Sequence, residues 1–379
     1  MRGPAHGTGP TQGLPGINRQ GEKMRANLLL KAACAAIVAC LPAFAASAQT
    51  KVVAGIPSPI VPYMAGVVYA KDLGFYKEEG LEVEFVSVQG SGVLIPQIVN
   101  KAVTFGLIVP ELPTLAIAKG EPYPLTFFYG GYPNFLWEFV VPENSPIKSL
   151  ADMKGKKMGV GALAFGNIPI SKAMLASQGV TWMKDVEVLP VGLGPAAWKR
   201  LTDGEIDLLN LFAHEHQRMV LSGIKLRWIP VPGGYDKLLS NSWITHSDNI
   251  KDNPKVIEGF GRAYAKGYYA CTLDPEKCLR AFWRFDPASK PAADKEAEWI
   301  KTNLPVLMVD INKAMTGIDQ SKMGAINPES IKQLVAALKA GEVIPSDQID
   351  VSHLYTNSFI PKINDFDRAA VKATVQKAP

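Results

Sequence analysis

Apolar and charged residues alternate over 81–85, where Leu81, Val83 and Phe85 are separated by Glu82 and Glu84. That is the pattern of a strand buried on one side. Before it, 51–55 is a short β-rich run, and Pro57, Ser58, Pro59 and Pro62 break regular structure. Residues 63–73 then carry apolar side chains at helical spacing, with Gly74 placed to stop the helix. The stretch 51–88 therefore reads as strand, loop, helix, turn and strand. Such units build parallel sheets whose ligand sites lie beyond the carboxyl ends of the strands. The loop 56–62 falls at such an end, and its prolines lower the cost of ordering polar groups around a ligand.

The pattern continues downstream. Gln89-Gly90-Ser91-Gly92 precedes an apolar helix over 93–101, with Ser91 or Gly92 as its cap. A helix start offers free N–H groups and a partial positive charge, suited to an anion or a carbonyl oxygen. Strands are expected over 103–109, 125–129 and 136–141, with a short helix over 114–118. From Glu143 the pattern restarts. A helical turn at 149–155 and a strand over 156–160 lead to a second glycine-bearing loop, 161–167, before a helix over 171–177. Strands follow over 186–191, 206–211 and 225–231, with a helix over 198–202 and a turn at Ala213-His214-Glu215. Glycine loop, helix, short strand and acidic turn occur as 90–111 and again as 161–215. This predicts two lobes of like architecture whose strand ends face a shared cleft. The remainder is mainly helical, over 255–270, 276–285, 292–302 and 328–340, and is expected to wrap the first lobe.

Composition changes this picture at the N-terminus. Residues 1–23 are rich in Gly, Pro and polar residues without periodicity. Met24 is followed by Arg25, apolar stretches over 28–30 and 32–44, and Ala46-Ser47-Ala48. A charged start, an apolar core and a small-x-small site make a secretory leader, so 1–48 is read as removed after Ala48, with Met24 as the start and the periplasm as destination. The formal charge of +5 then misleads, because 1–48 hold five of the 40 basic residues and one of the 35 acidic ones, leaving about +1. Neither a basic cluster nor an aromatic-interleaved basic stripe suggests nucleic acid. No uninterrupted apolar run beyond residue 48 is long enough to span a bilayer.

Cys271 and Cys278 remain beyond the leader, an even pair in an oxidising compartment. Asp274-Pro275 between them should end one helix and start the next, Asp274 as N-cap. A disulfide across that corner and two unpaired thiols on neighbouring helices are both compatible with the spacing.

Catalysis finds little support. Ser58 lacks a G-x-S-x-G context, and no nucleotide fingerprint is present. His214 and His216 form H-x-H, which on one face would bind zinc with a third ligand; one histidine in the cleft and one on the surface is the plainer expectation. Aromatics at loop tips suit a flat organic solute. The helix starts favour an anionic or carbonyl group, whereas Glu111 and Glu215, expected to face the cleft, disfavour a carboxylate or sulfonate and suit an amine or aminopyrimidine edge. The candidate ligand contacts are Ser58, Pro59 and Tyr63 in the first loop, Gly90 and Ser91 at the first helix start, and Glu111 after the third strand. The second lobe adds Phe165, Gly166, Asn167, Trp198, Asn210 and His214.

Four segments carry a resemblance: Leu73-Gly74-Phe75-Tyr76-Lys77-Glu78-Glu79-Gly80-Leu81, 150–160 (LADMKGKKMGV), Asp203-Gly204-Glu205-Ile206-Asp207 and 354–360 (LYTNSFI). In this order they resemble the solute-binding proteins of ABC importers, in the group that binds sulfonates, nitrate and thiamine precursors. The resemblance implies an α/β, two-lobe type II periplasmic binding protein fold with a ligand cleft between the lobes. It divides the chain into lobe one over 49–140, lobe two over 141–243 and a return to lobe one over 244–379. It also implies a monomer that captures a small organic solute, aromatic or heterocyclic, by lobe closure and delivers it to an ABC permease in the inner membrane. No cofactor, metal or covalent step is expected. A same-fold enzyme of pyrimidine or thiamine-precursor metabolism and a ligand-presenting sensor module remain as alternatives.

Overall fold

β1 (Thr50–Ile56), α1 (Ala65–Asp72) and β2 (Leu81–Ser87) form the expected opening unit, with β1 and β2 parallel from Thr50↔Leu81 to Ile56↔Ser87. The computed structural model describes Gln49–Pro379 together with Gly9, Pro10 and Gly13. The leader and its cleavage point otherwise lie outside the described residues. In β2 the alternation does its work: Leu81 and Val83 are buried while Glu82 and Glu84 are exposed. α2 (Ser91–Val99) leads to β3 (Phe105–Ile108), and α3 (Glu111–Ala118) to β4 (Leu125–Tyr129). The chain then runs through β5 (Trp137–Pro142), β6 (Lys156–Val160), α4 (Ile168–Ser177) and β7 (Val186–Pro190). α5 (Pro195–Thr202), β8 (Leu208–Phe212), α6 (Ala213–Leu221) and β9 (Leu226–Ile229) follow, and β10 (Ser242–His246) returns to the first sheet.

Two five-stranded sheets result, in the orders β2-β1-β3-β10-β4 and β7-β6-β8-β5-β9. In the first, β1 is parallel to β2 and β3, and β10 is antiparallel to β3 and β4. In the second, β6 is parallel to β7 and β8, and β5 is antiparallel to β8 and β9. Each sheet thus has the same order, with one antiparallel strand that the chain contributes as it crosses between lobes. The likeness between 90–111 and 161–215 is a likeness of topology. Strands covered on both faces read as continuous apolar runs, as in β4 and β8, where every residue is buried.

The helical remainder differs from expectation. α7 (Pro254–Leu273) and α8 (Pro275–Phe285) are joined by a Cys271–Cys278 disulfide, with Asp274 accepting from the Lys277 N–H at 2.9 Å and Pro275 in the first turn. α9 (Glu296–Met315) starts within the 292–302 stretch and continues 13 residues beyond it, through Pro305. Its buried positions Val306, Leu307, Asp310, Ile311 and Ala314 follow a helical stripe, and packing on that stripe outweighs the hydrogen bond that a proline removes. α9 packs against the Pro62–Met64 turn of the first lobe and against α6 of the second, while α10 (Pro328–Ala340) packs on α4. The C-terminal helices therefore bridge the lobes instead of wrapping the first alone. The turn expected at 213–215 is the start of α6, whose face runs on to buried Met219.

Candidate ligand-binding site

A cavity of about 560 Å³, including its mouth, opens where the parallel strands of both sheets end. That is the place where open α/β sheets hold ligands. The loop after β1 supplies Pro57, Ser58 and Tyr63, and the start of α2 supplies Gly90 and Ser91. From the second lobe come Phe165 and Gly166 after β6, Phe212 at the end of β8 and His214 in α6. The crossing segment gives Tyr132, Leu136 and Trp137, and α9 gives Asp310.

The wall is aromatic and continuous. Trp137 lies 5.6 Å from Phe165 and 5.4 Å from Phe212, and Phe212 lies 5.9 Å from His214. The Tyr63 ring stacks on the His214 imidazole at 4.6 Å with 9° between planes. Tyr63 belongs to the first lobe and His214 to the second, so the stack, worth about 0.5–1.5 kcal/mol, crosses the cleft.

The two glycine loops meet each other. The Gly92 N–H donates to the Ala164 carbonyl at 3.1 Å. A Cβ on Gly90, whose φ is +100°, would stand 2.5 Å from that carbonyl oxygen, and a Cβ on Gly166 would stand 2.1 Å from Val109 Cγ2. Only residues without a side chain allow this approach, and the lobes are held together by it.

At the floor, Asp310 is fully buried and accepts from the Tyr132 hydroxyl at 2.6 Å, the Tyr268 hydroxyl at 3.0 Å and His214 Nε2 at 3.0 Å. Among the described residues that line the cavity, none is Lys or Arg, and Asp310 is the one carboxylate. His214 Nδ1 and the Trp137 indole N–H are buried and without a partner.

Of the residues singled out from sequence, Ser58, Tyr63, Gly90, Ser91, Phe165, Gly166 and His214 line this cavity. Pro59 borders a separate surface depression beside Phe85 and Phe285. Asn167 and Asn210 are turned into the second lobe: Asn167 Nδ2 donates to Asn210 Oδ1 at 2.9 Å and Ser171 Oγ at 3.2 Å, and Asn210 Nδ2 donates to the Glu138 carbonyl at 2.9 Å. Trp198 packs in the second lobe's core and donates its Nε1–H to Glu215 at 3.1 Å. Glu215, expected to face the cleft, is instead enclosed by donors of its own lobe. Glu111 is fully buried at the start of α3, away from the cavity lining, with neither oxygen partnered. Burial pushes its carboxyl up from 4.5 to about 8. His216, expected at the surface, is buried and paired with Glu138 at 3.0 Å, because a helix in place of a turn points it inward. Among the described residues, no group of three or more His, Cys, Asp or Glu is placed to hold a metal ion.

Asp310 had no signal of its own in the sequence. It lies far from every other cleft residue along the chain, in a helical stretch that a proline interrupts. A polar residue on an otherwise apolar helical stripe is the one mark that would have found it.

The model of the family described as NMT1/THI5 like matches residues 61–278. A Haemophilus influenzae protein named for thiamine biosynthesis is 27% identical over 278 residues, covering 70% of this chain and 82% of that protein. The 4-amino-5-hydroxymethyl-2-methylpyrimidine phosphate synthase of Legionella pneumophila is 22% identical over 301 residues, covering 79% of this chain and 89% of that protein. Among solved structures, the alkanesulfonate-binding protein SsuA of Xanthomonas axonopodis pv. citri bound to MOPS superposes with a TM-score of 0.59 at 15% identity, covering 82% of this chain and 98% of the other. That likeness is one of fold, and it makes the architecture that of a periplasmic binding protein.

Proposed function

The chain belongs to the NMT1/THI5-like family, and from that premise we propose that it is the solute-binding component of an ABC importer. It captures a small, flat organic molecule outside the cytoplasm and presents it to a membrane permease as a monomer, without changing it. The observation that carries this reading is the cavity itself, aromatic on its walls and closed by glycine-to-backbone contact between two lobes of like topology. Closure is stabilised to the extent that the solute touches both lobes at once, since only differential affinity shifts a conformational equilibrium. Aromatic faces bind a flat ring with little ordering cost, and a few polar atoms set its orientation.

The His214–Asp310 pair would also serve a general base, which favours one second reading, a same-fold enzyme. Small-angle scattering and tryptophan fluorescence during titration with pyrimidines and aromatic amides, followed by mass spectrometry of the recovered compound, separate the two. The receptor reading expects compaction, a fluorescence change from Trp137 and an unaltered compound. A compound recovered in converted form would establish the enzyme, and binding without compaction would remove the closure mechanism.

A further inference from the structure

We infer that α9 is a clasp: its Asp310 and Lys313 hold the second lobe against the first directly, so that the receptor samples its closed form before any solute arrives. The inference rests on the receptor reading above for one premise, that the lobes hinge, and it names the contacts that set the hinge equilibrium.

α9 belongs to the first lobe by its packing. It lies against α1, α8 and the Pro62–Met64 turn, and it also meets α6 of the second lobe. Residues three apart on a helix share a face, and Asp310 and Lys313 both reach the second lobe. Asp310 accepts from His214 Nε2 of α6 at 3.0 Å. Lys313 donates to the Phe135 carbonyl of the crossing segment at 3.1 Å and lies 3.7 Å from the Glu138 carboxylate of β5. Glu138 in turn accepts from His216 Nδ1 at 3.0 Å and from the Trp228 indole N–H at 2.8 Å. The two histidines of the His214-Glu215-His216 run thus lead to the two prongs of one clasp, one directly and one through Glu138.

The clasp is built to release. Asp310 keeps the Tyr132 and Tyr268 hydroxyls when His214 withdraws, so parting the lobes does not strand a bare buried charge. Lys313 and Glu138 are already partly exposed and meet water on opening. Closing orders few groups, because the two tyrosines orient Asp310 and the Tyr63 ring lies flat on the His214 imidazole. Each prong joins protein to protein, so its strength favours the closed form by the same factor whichever solute is bound.

The test reads the hinge without a solute. Donor and acceptor dyes are attached to the mature protein at Lys119→Cys in the first lobe and Lys184→Cys in the second, both exposed positions. Cys271 and Cys278 are bonded to each other and take no dye. After dialysis to strip bound solute, energy transfer is recorded molecule by molecule in the labelled parent, in Lys313→Met and in His214→Phe. Lys313 does not line the cavity, and phenylalanine at 214 keeps a ring on Tyr63. The inference expects a closed population beside an open one in the parent. The ratio of closed to open should fall about two- to fivefold in Lys313→Met, whose pair is partly exposed, and about tenfold in His214→Phe. An open population alone in the parent, or a mixture whose ratio is unchanged in either variant, overturns the inference and leaves the receptor reading standing. A single closed distance shared by all three proteins would show lobes that do not hinge, and would remove that reading and this inference together.

Discussion

Glu111 and Glu215 occupy matching places in the two lobes. Each stands in the first turn of the helix that follows the third parallel strand of its sheet, and each is buried. Their surroundings are opposite. Glu215 accepts from the Gly194 N–H at 2.8 Å, Trp198 Nε1–H at 3.1 Å and the Arg218 guanidinium at 2.7 Å, and Arg218 in turn lies 5.0 Å over the Trp198 ring. Glu111 has no such side-chain donors, and burial is the main influence on its carboxyl, opposed only in part by its own backbone N–H. Position in the fold is thus not enough to assign a charge. An acid enclosed by donors braces its lobe; an acid enclosed by apolar atoms, as Glu111 is, is driven toward its protonated form.

The contrast is tested most strongly by removing the brace. Glu215→Ala leaves the buried Gly194 N–H and Trp198 Nε1–H without an acceptor and is expected to destabilise the fold by about 2–4 kcal/mol, read by urea denaturation. A loss below about 1 kcal/mol would mean that the three bonds are replaced by water. Next comes Glu111→Gln, expected to stabilise the protein at pH 7 by about 1–3 kcal/mol, since a buried amide has no charge to lose. The same variant sharpens the comparison through pH. Because the folded carboxyl is raised from 4.5 to about 8, the folded state holds a proton that the unfolded chain has released. Stability therefore falls as pH rises from 4.5 and the loss is complete above about 8, by at most about 1.4 kcal/mol per pH unit. Glu111→Gln should flatten that slope in a series of melting curves, and an unchanged slope would show that Glu111 is ionised in the fold. The smallest effect is expected from Arg218→Met, about 1 kcal/mol or less, because this side chain is partly exposed and its ion pair is screened. A larger loss would move Arg218 from the rim of the cluster to its centre.

Much of the architecture was legible in the pattern of apolar positions. β4 and β6 fall where the runs 125–129 and 156–160 place them, and α10 falls on 328–340. Local rules decide such elements: strand alternation, a proline at a helix start, a glycine at a helix end. The cleft was legible in part. Tyr63, Phe165 and Gly166 sit beside loops that strand ends must bring together. Trp198 and Asn210 share that sequence context, yet their side chains are directed into the second lobe by Glu215 and Asn167, partners that no spacing identifies.

The order of apolar, charged and chain-breaking residues was enough to determine two α/β halves of like topology with loops converging on one crevice, because strand and helix periodicities are short-range properties. Which side chains look into that crevice was decided by the tertiary structure. α9 crosses from one lobe to the other and sets Asp310 beneath His214, 96 residues distant along the chain. The same packing gives one buried glutamate three donors and denies them to the other. Hydrogen-bond partnership and exclusion of water depend on which surfaces meet, and a one-dimensional pattern does not encode that meeting.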